Sequence, residues 1–249
     1  MNSATVSLIV FGCVFGGALL GVLLHAVLPQ QHLGADARDV VKLATGLVAT
    51  MAALVLGLLV ASAKGSYDAQ STALTQMSAN VALLDRVLAH YGPETKEARD
   101  LLRAGVARML DQMWPQGRAH ATDTAPSSNE LLYDKIQGLT PRDDKQRTLH
   151  AQALSMAMGI GQTRWLMYEQ GVTAVSMPLL VVLVAWLTII FISFGVLAPP
   201  NGTVIASLCV SALSVSGAIF LILEMYAPFA GLMQVSSAPL RAALAHLGQ

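Results

Sequence analysis

Charge is scarce in this sequence. Only 12% of the residues are Asp, Glu, Lys or Arg, against 54% that are hydrophobic, and the mean hydropathy is +0.57. A water-soluble domain carries about 25% charged residues, so composition excludes an ordinary soluble globule and points to an integral membrane protein. An excess of either sign is lacking too. Lys and Arg number 15, Asp and Glu number 15, and the formal net charge is zero. Without a basic excess there is no phosphate-neutralising surface of the kind nucleic acid requires, and no nucleic-acid partner is expected. Cysteine is limited to Cys13 and Cys209, both inside apolar runs. That excludes a disulfide framework and a thiolate metal site, and leaves two small buried hydrophobes.

Catalytic signatures are missing as well. There is no G-x-S-x-G, no Walker loop, no H-E-x-x-H and no paired-cysteine motif. His25, His32, His90, His120, His150 and His246 are too scattered to define a metal site. Gly159 and Gly161 lie in a helical pattern with no preceding strand, so they do not form a nucleotide loop. The chain reads as a non-enzyme with neither cofactor nor metal. The flank Met1 to Ser7 has no Lys or Arg, and the apolar run after it is too long for a cleaved signal peptide. It is expected to be a retained transmembrane helix.

What is present in abundance is long apolar runs. Four are long enough to cross a bilayer as helices, which takes about 20 residues. They cover about residues 5–28, 41–63, 175–197 and 205–226. The first carries Gly12 and Gly16, then Gly17 and Gly21, two G-x-x-x-G pairs that allow close helix approach in lipid. In the second, Ala49, Ala53, Gly57 and Ala61 recur every fourth residue, a small-residue stripe suited to packing or to lining a pore. Lys64 and Tyr67 mark its water interface. The expected organisation is all-α: a transmembrane hairpin over 1–63, a polar helical region over 64–171, a second transmembrane hairpin over 172–226, and an amphipathic tail over 227–249.

The polar region holds most of the charge. Leu74, Met77, Val81, Leu84, Leu88 and Tyr91 are spaced by three and four, which predicts one apolar helix face. With no proline between Pro29 and Pro93, that helix is expected to continue the second span and to break at Gly92-Pro93. The apolar face should pack on a helix opened by a Thr140 cap and Pro141 and running to about Gln170. Asp85 with Arg86, and the cluster Lys96, Glu97, Arg99, Asp100 and Arg103, read as solvated helix faces. Asp143 and Asp144 fall in a first helical turn, where they complement the helix dipole. The tail, with Leu240, Leu244 and Leu247 on one side, is expected to lie on the membrane or on a neighbouring subunit.

Two further expectations concern the membrane. The turns following the first and third spans carry only Arg38 and Lys42. The positive-inside rule therefore puts the polar region and both termini in the cytoplasm. Glu224 is the single ionisable side chain in the fourth span. It has two readings of similar weight: a carboxylate snorkelling to the interface, or an intramembrane ion or proton site.

Several stretches resemble a known family. GLLVASAKGSYDAQS (57–71), LLDRVLAHYGPETKEAR (83–99), GQTRWLMYEQ (161–170) and LILEMYAPFAGLMQVSSAPLRAALAHLG (221–248) are similar to bacterial bestrophin-like proteins, and the resemblance covers nearly the whole chain. Bestrophins proper are pentameric, mostly anion-selective ion channels with four membrane helices per subunit, the second lining a narrow neck. The resemblance therefore implies a homo-oligomeric, anion-conducting channel in the bacterial inner membrane, acting on small inorganic ions within the lipid bilayer. On that reading Met51, Leu54, Val55 and Leu58 are constriction candidates and Lys64 sits at the cytoplasmic mouth. The sequence departs from bestrophins in having no aromatic residue in the second span, a smaller polar region and no acidic cluster like the bestrophin calcium clasp. After the fourth span it reads Met225-Tyr226-Ala227-Pro228-Phe229, without the charged residues usual there. The alternative is a non-conducting scaffold or sensor whose polar helices bind a partner.

Overall fold

The structure is a computed structural model that describes residues 2–27, 35–114, 128–172, 176–199, 201–229 and 231–248. The described residues contain helices and no strand: α1 (Ser3–Val27), α2 (Ala35–Tyr91), a 3-10 turn (Pro93–Thr95), α3 (Lys96–Met113), α4 (Ser128–Gln137), α5 (Asp144–Val172), α6 (Met177–Leu197), α7 (Gly202–Met225) and α8 (Ala238–His246). Four of them, α1, α2, α6 and α7, are long and apolar enough to cross a membrane. A helix suits that task because it satisfies every backbone N–H and C=O within its own segment.

The chain forms two compact units. One comprises Met1–Ser66 with Ala174–Tyr226, the other Tyr67–Thr173 with Ala227–Gln249. In the first, α1 packs on α6 and α7 around Val10, Val14, Ala18, Leu183, Phe191, Ala212 and Ile219. Glycine makes the α1–α6 approach possible. A β-carbon at Gly21 would collide with the Ile192 carbonyl and meet Gly195 Cα at 3.0 Å, and one at Gly17 would meet Thr188 Cγ2 at 2.9 Å. Gly12 and Gly16, the other expected pair, have open space instead. Polar atoms close the remaining gaps. Ser216 Oγ donates to the Ser7 carbonyl at 2.6 Å, and His25 Nδ1 to the Val196 carbonyl at 2.7 Å.

In the second unit a single apolar cluster joins Leu74, Met77, Val81, Leu84 and Leu88 of α2 to Leu102, Val106 and Met109 of α3, Ile136 of α4, and Ala153, Ile160 and Met167 of α5. The predicted α2 face is thus covered from several sides. Gly92, at φ +145°, makes the break after α2. Thr95, 1% exposed, locks it: its hydroxyl lies 2.7 Å from the Leu88 carbonyl and 2.8 Å from that of Gly92.

Three local expectations are corrected. The cap of α5 is Asp143 rather than Thr140: Asp143 Oδ1 accepts the Gln146 N–H at 2.6 Å, and Gln146 Oε1 accepts the Arg142 N–H at 2.8 Å. Asp143 thus caps the Gln146 N–H as in a capping box, while Gln146 reaches back one residue further, to Arg142; this wins over a proline-led start. Second, α2 begins at Ala35, inside the expected turn. Third, the apolar side of α8, expected on the membrane or on a neighbouring subunit, is covered by its own chain. Leu240, Ala243 and Leu247 are buried in the same cluster as α2 and α3, because the short apolar stripe finds more cover in its own chain than at a surface.

Candidate functional site

The second span carries the constriction candidates. In the first unit α2 turns Thr45, Ala52, Leu59 and Ala63 inward, each at most 9% exposed. Many of the residues between them face out. Leu54 is 75%, Leu58 61% and Met51 46% exposed, whereas Val55 is half-buried against the core. Ala53, Gly57 and Ala61 of the small-residue stripe are also exposed, and Lys64 is exposed just past them. Leu54, Leu58 and Met51 thus share the outer surface of the unit, and Val55 does not. An apolar groove of about 480 Å³ runs between Thr45, Gly46 and Ala49 of α2 and Phe194 and Leu197 at the end of α6, with Lys42 at its rim.

Glu224 lies in the last turn of α7 and is 4% exposed, close in sequence to the equally buried Ile222. Two residues on, Tyr226 ends the helix and donates its hydroxyl to Ser62 Oγ of α2 at 2.9 Å. A buried carboxylate at a helix C-terminus is unfavourable by itself.

The polar unit contains a second ionisable centre. Asp85 is 4% exposed. It accepts two parallel bonds from Arg99, Nε at 2.7 Å and Nη2 at 2.9 Å, and a third from the Gly248 N–H at 3.2 Å. Burial alone would raise the Asp85 carboxyl; the Arg99 and Gly248 donors outweigh it and hold the group below the usual carboxylate range. The same bonding pushes the Arg99 guanidinium further up. Lys96, Arg99 and Arg103 flank a pocket of about 350 Å³ beside Gly248, with Asp100 among them. Among the described residues, no three His, Cys, Asp or Glu side chains converge as a metal site would require.

The family model described as the Bestrophin-like domain matches residues 12–240. The chain belongs to the bestrophin-like family. No curated protein and no solved structure matched it. With four helices long and apolar enough to span a bilayer, this bestrophin-like protein is a membrane protein.

Two of its features escaped sequence reasoning. Asp85 and Arg99 looked like solvated helix faces, yet they form a buried pair across 14 positions. The available signal was register: Asp85 follows Leu84 and stands four residues after Val81, at the edge of the apolar stripe. The other is the anchoring of the chain's last helix in the polar unit. Trp114, at the end of α3, donates Nε1–H to the Val235 carbonyl at 3.0 Å and meets Phe229 edge-on at 5.5 Å.

Proposed function

We propose that this bestrophin-like protein is an oligomeric, anion-conducting channel of the bacterial inner membrane, pentameric as in bestrophins, with α2 lining the conduction path. The observation that carries the reading is the coverage of α2. Only 11% of its most apolar window is buried, against 39% for α1 and 33% for α6. A helix so apolar and so little covered by its own chain must meet either lipid or further copies. Copies arranged about an axis would bring Leu54 and Leu58 to a lumen, and a ring of bulky aliphatic side chains can gate by dewetting. Lys64 would then stand at the cytoplasmic mouth, where a ring of positive charge concentrates anions. The polar unit and both termini face the cytoplasm in this arrangement, no reaction is catalysed, and Glu224 stays apart from the path.

The test is current through planar bilayers containing the purified protein. Leu54→Ser and Leu58→Ser should raise conductance or open probability, because they both widen and wet the constriction. Lys64→Glu should move the reversal potential toward cations, and the move should shrink at high salt, where the screening length falls to about 3 Å at 1 M. A silent protein whose leucine variants are equally silent across voltage, pH and calcium would overturn the channel and favour a scaffold that binds a partner through its polar helices.

A further inference from the structure

The turn between α7 and α8 is built as a presented tip. Its two ends are tied together: the Val235 N–H donates to the Pro228 carbonyl at 2.7 Å. Phe229 packs edge-on against Trp114, and Val235 is 3% exposed. Tyr67 Oη donates to the Gln234 carbonyl at 3.3 Å, and Trp114 Nε1 to that of Val235 at 3.0 Å. Gly231, at φ +86°, lets the chain reverse. Between these anchors Leu232 and Met233 point outward. Leu232 is 82% exposed, the highest value for any large hydrophobic side chain among the described residues, and Met233 is 38% exposed.

A flexible loop would fold such residues inward. This one is pinned with its apolar residues out, and compact loops whose ends are held together are often functional. We propose that the Leu232–Met233 tip inserts into the headgroup–acyl boundary of the bilayer on the side where α7 ends, as a second, interfacial membrane contact beside the four spans.

Three observations select lipid over a protein partner. First, the tip is tethered to the membrane. Leu232 follows Tyr226, the end of α7, by six residues, which span at most roughly 22 Å even fully extended. Second, the loop is held to α2 where that helix leaves its apolar stretch. Gln234 contacts Tyr67, three residues beyond Lys64 and so about 4.5 Å along the axis. Third, the whole stretch Met225 to Leu240 contains no Asp, Glu, Lys, Arg or His. It carries none of the charges that would be costly to desolvate or useful for choosing a protein partner.

The experiment uses the full chain reconstituted in phosphatidylcholine–phosphatidylglycerol vesicles. Cys13 and Cys209 are replaced by Ala, and a polarity-sensitive fluorophore is placed at Leu232→Cys. Lipid carrying a shallow nitroxide should remove most of its emission, its spectrum should be blue-shifted, and aqueous iodide should have little effect. The same label at Asp111→Cys, an exposed position on α3, should respond in the opposite way. Ready quenching by iodide at position 232 would overturn the proposal. So would protection from both quenchers, which would mean that protein covers the tip. If the Leu232→Cys chain does not reconstitute, Met233→Cys reads the same depth.

Discussion

Asp85 exchanges water for three hydrogen bonds, two from Arg99 and one from the Gly248 N–H. Because its folded-state pKa lies below the ordinary value of 3.8, the charged form is bound preferentially by the fold. The stability it contributes is fully present above that ordinary value and drains away as the pH falls from there toward the depressed folded value. A melting series in detergent should show wild type losing stability below about pH 4 through this component, and Asp85→Asn lacking it while being less stable at neutral pH. Removing one partner of a buried pair costs about 3–5 kcal/mol, and Asp85→Ala should fall near the lower end because Arg99 keeps some contact with water. Tyr91 predicts the opposite sign. Its hydroxyl is buried without a hydrogen-bond partner, and an unsatisfied buried polar group costs about 1–3 kcal/mol. Tyr91→Phe should therefore leave the melting temperature unchanged or raise it; a clear drop would show that the hydroxyl is satisfied. Spacing put Tyr91 on the apolar face and Asp85 at its edge, but it named no partner for Asp85. The partners lie on different helices, and only the break at Gly92 and the Thr95 lock bring α3 back along α2.

At the scale of elements, most of the fold was legible because helix signals are local. Apolar runs of spanning length, a period of three and four, and Gly92-Pro93 all act within a few residues, so the four spans, the continuation of α2 beyond its span and its end at Gly92 could be read directly. Two things were not. Where two start signals compete, as at Thr140-Pro141 and Asp143, the winner depends on whether Gln146 can close the box; Asp143→Ala should cost about 1 kcal/mol, and Thr140→Ala should cost less. The inward face of α2 in its membrane half was also hidden. That segment is apolar all round, so periodicity cannot say which side meets protein, and the constriction list mixed exposed Leu54 and Leu58 with half-buried Val55. The glycines of α1 posed the same ambiguity, and the structure divides them. Gly21→Val should push α1 off α6, since its side chain would occupy the space of the Ile192 carbonyl and Gly195. Gly12→Ala should be tolerated, because nothing lies within 4 Å of the added carbon. Comparable detergent-resistant size and melting for both variants would remove close glycine packing as the reason for this helix pair.

For the whole molecule the open quantity is orientation, and it follows from where the cations are. Basic residues concentrate in Tyr67–Thr173, while the turn between α6 and α7 carries none and the stretch from the end of α1 to Ala63 carries only Arg38 and Lys42, both in the first turns of α2. Lys and Arg near the ends of spans are retained on the cytoplasmic side during insertion. The asymmetry therefore predicts that the α6–α7 turn faces the periplasm and α3 the cytoplasm. Asn201, exposed at the start of α7, and Asp111, exposed on α3, are suitable reporters. In a background with Cys13 and Cys209 replaced by Ala, Asn201→Cys should react with a membrane-impermeant maleimide in spheroplasts, and Asp111→Cys should react only after lysis. An even number of spans requires both termini to share a side, so a cysteine at Asn2 should behave like Asp111. Labelling of Asp111→Cys before lysis, with Asn201→Cys protected, would invert the protein. Lys64 would then sit at the outer end of the proposed path and could not act as its cytoplasmic mouth.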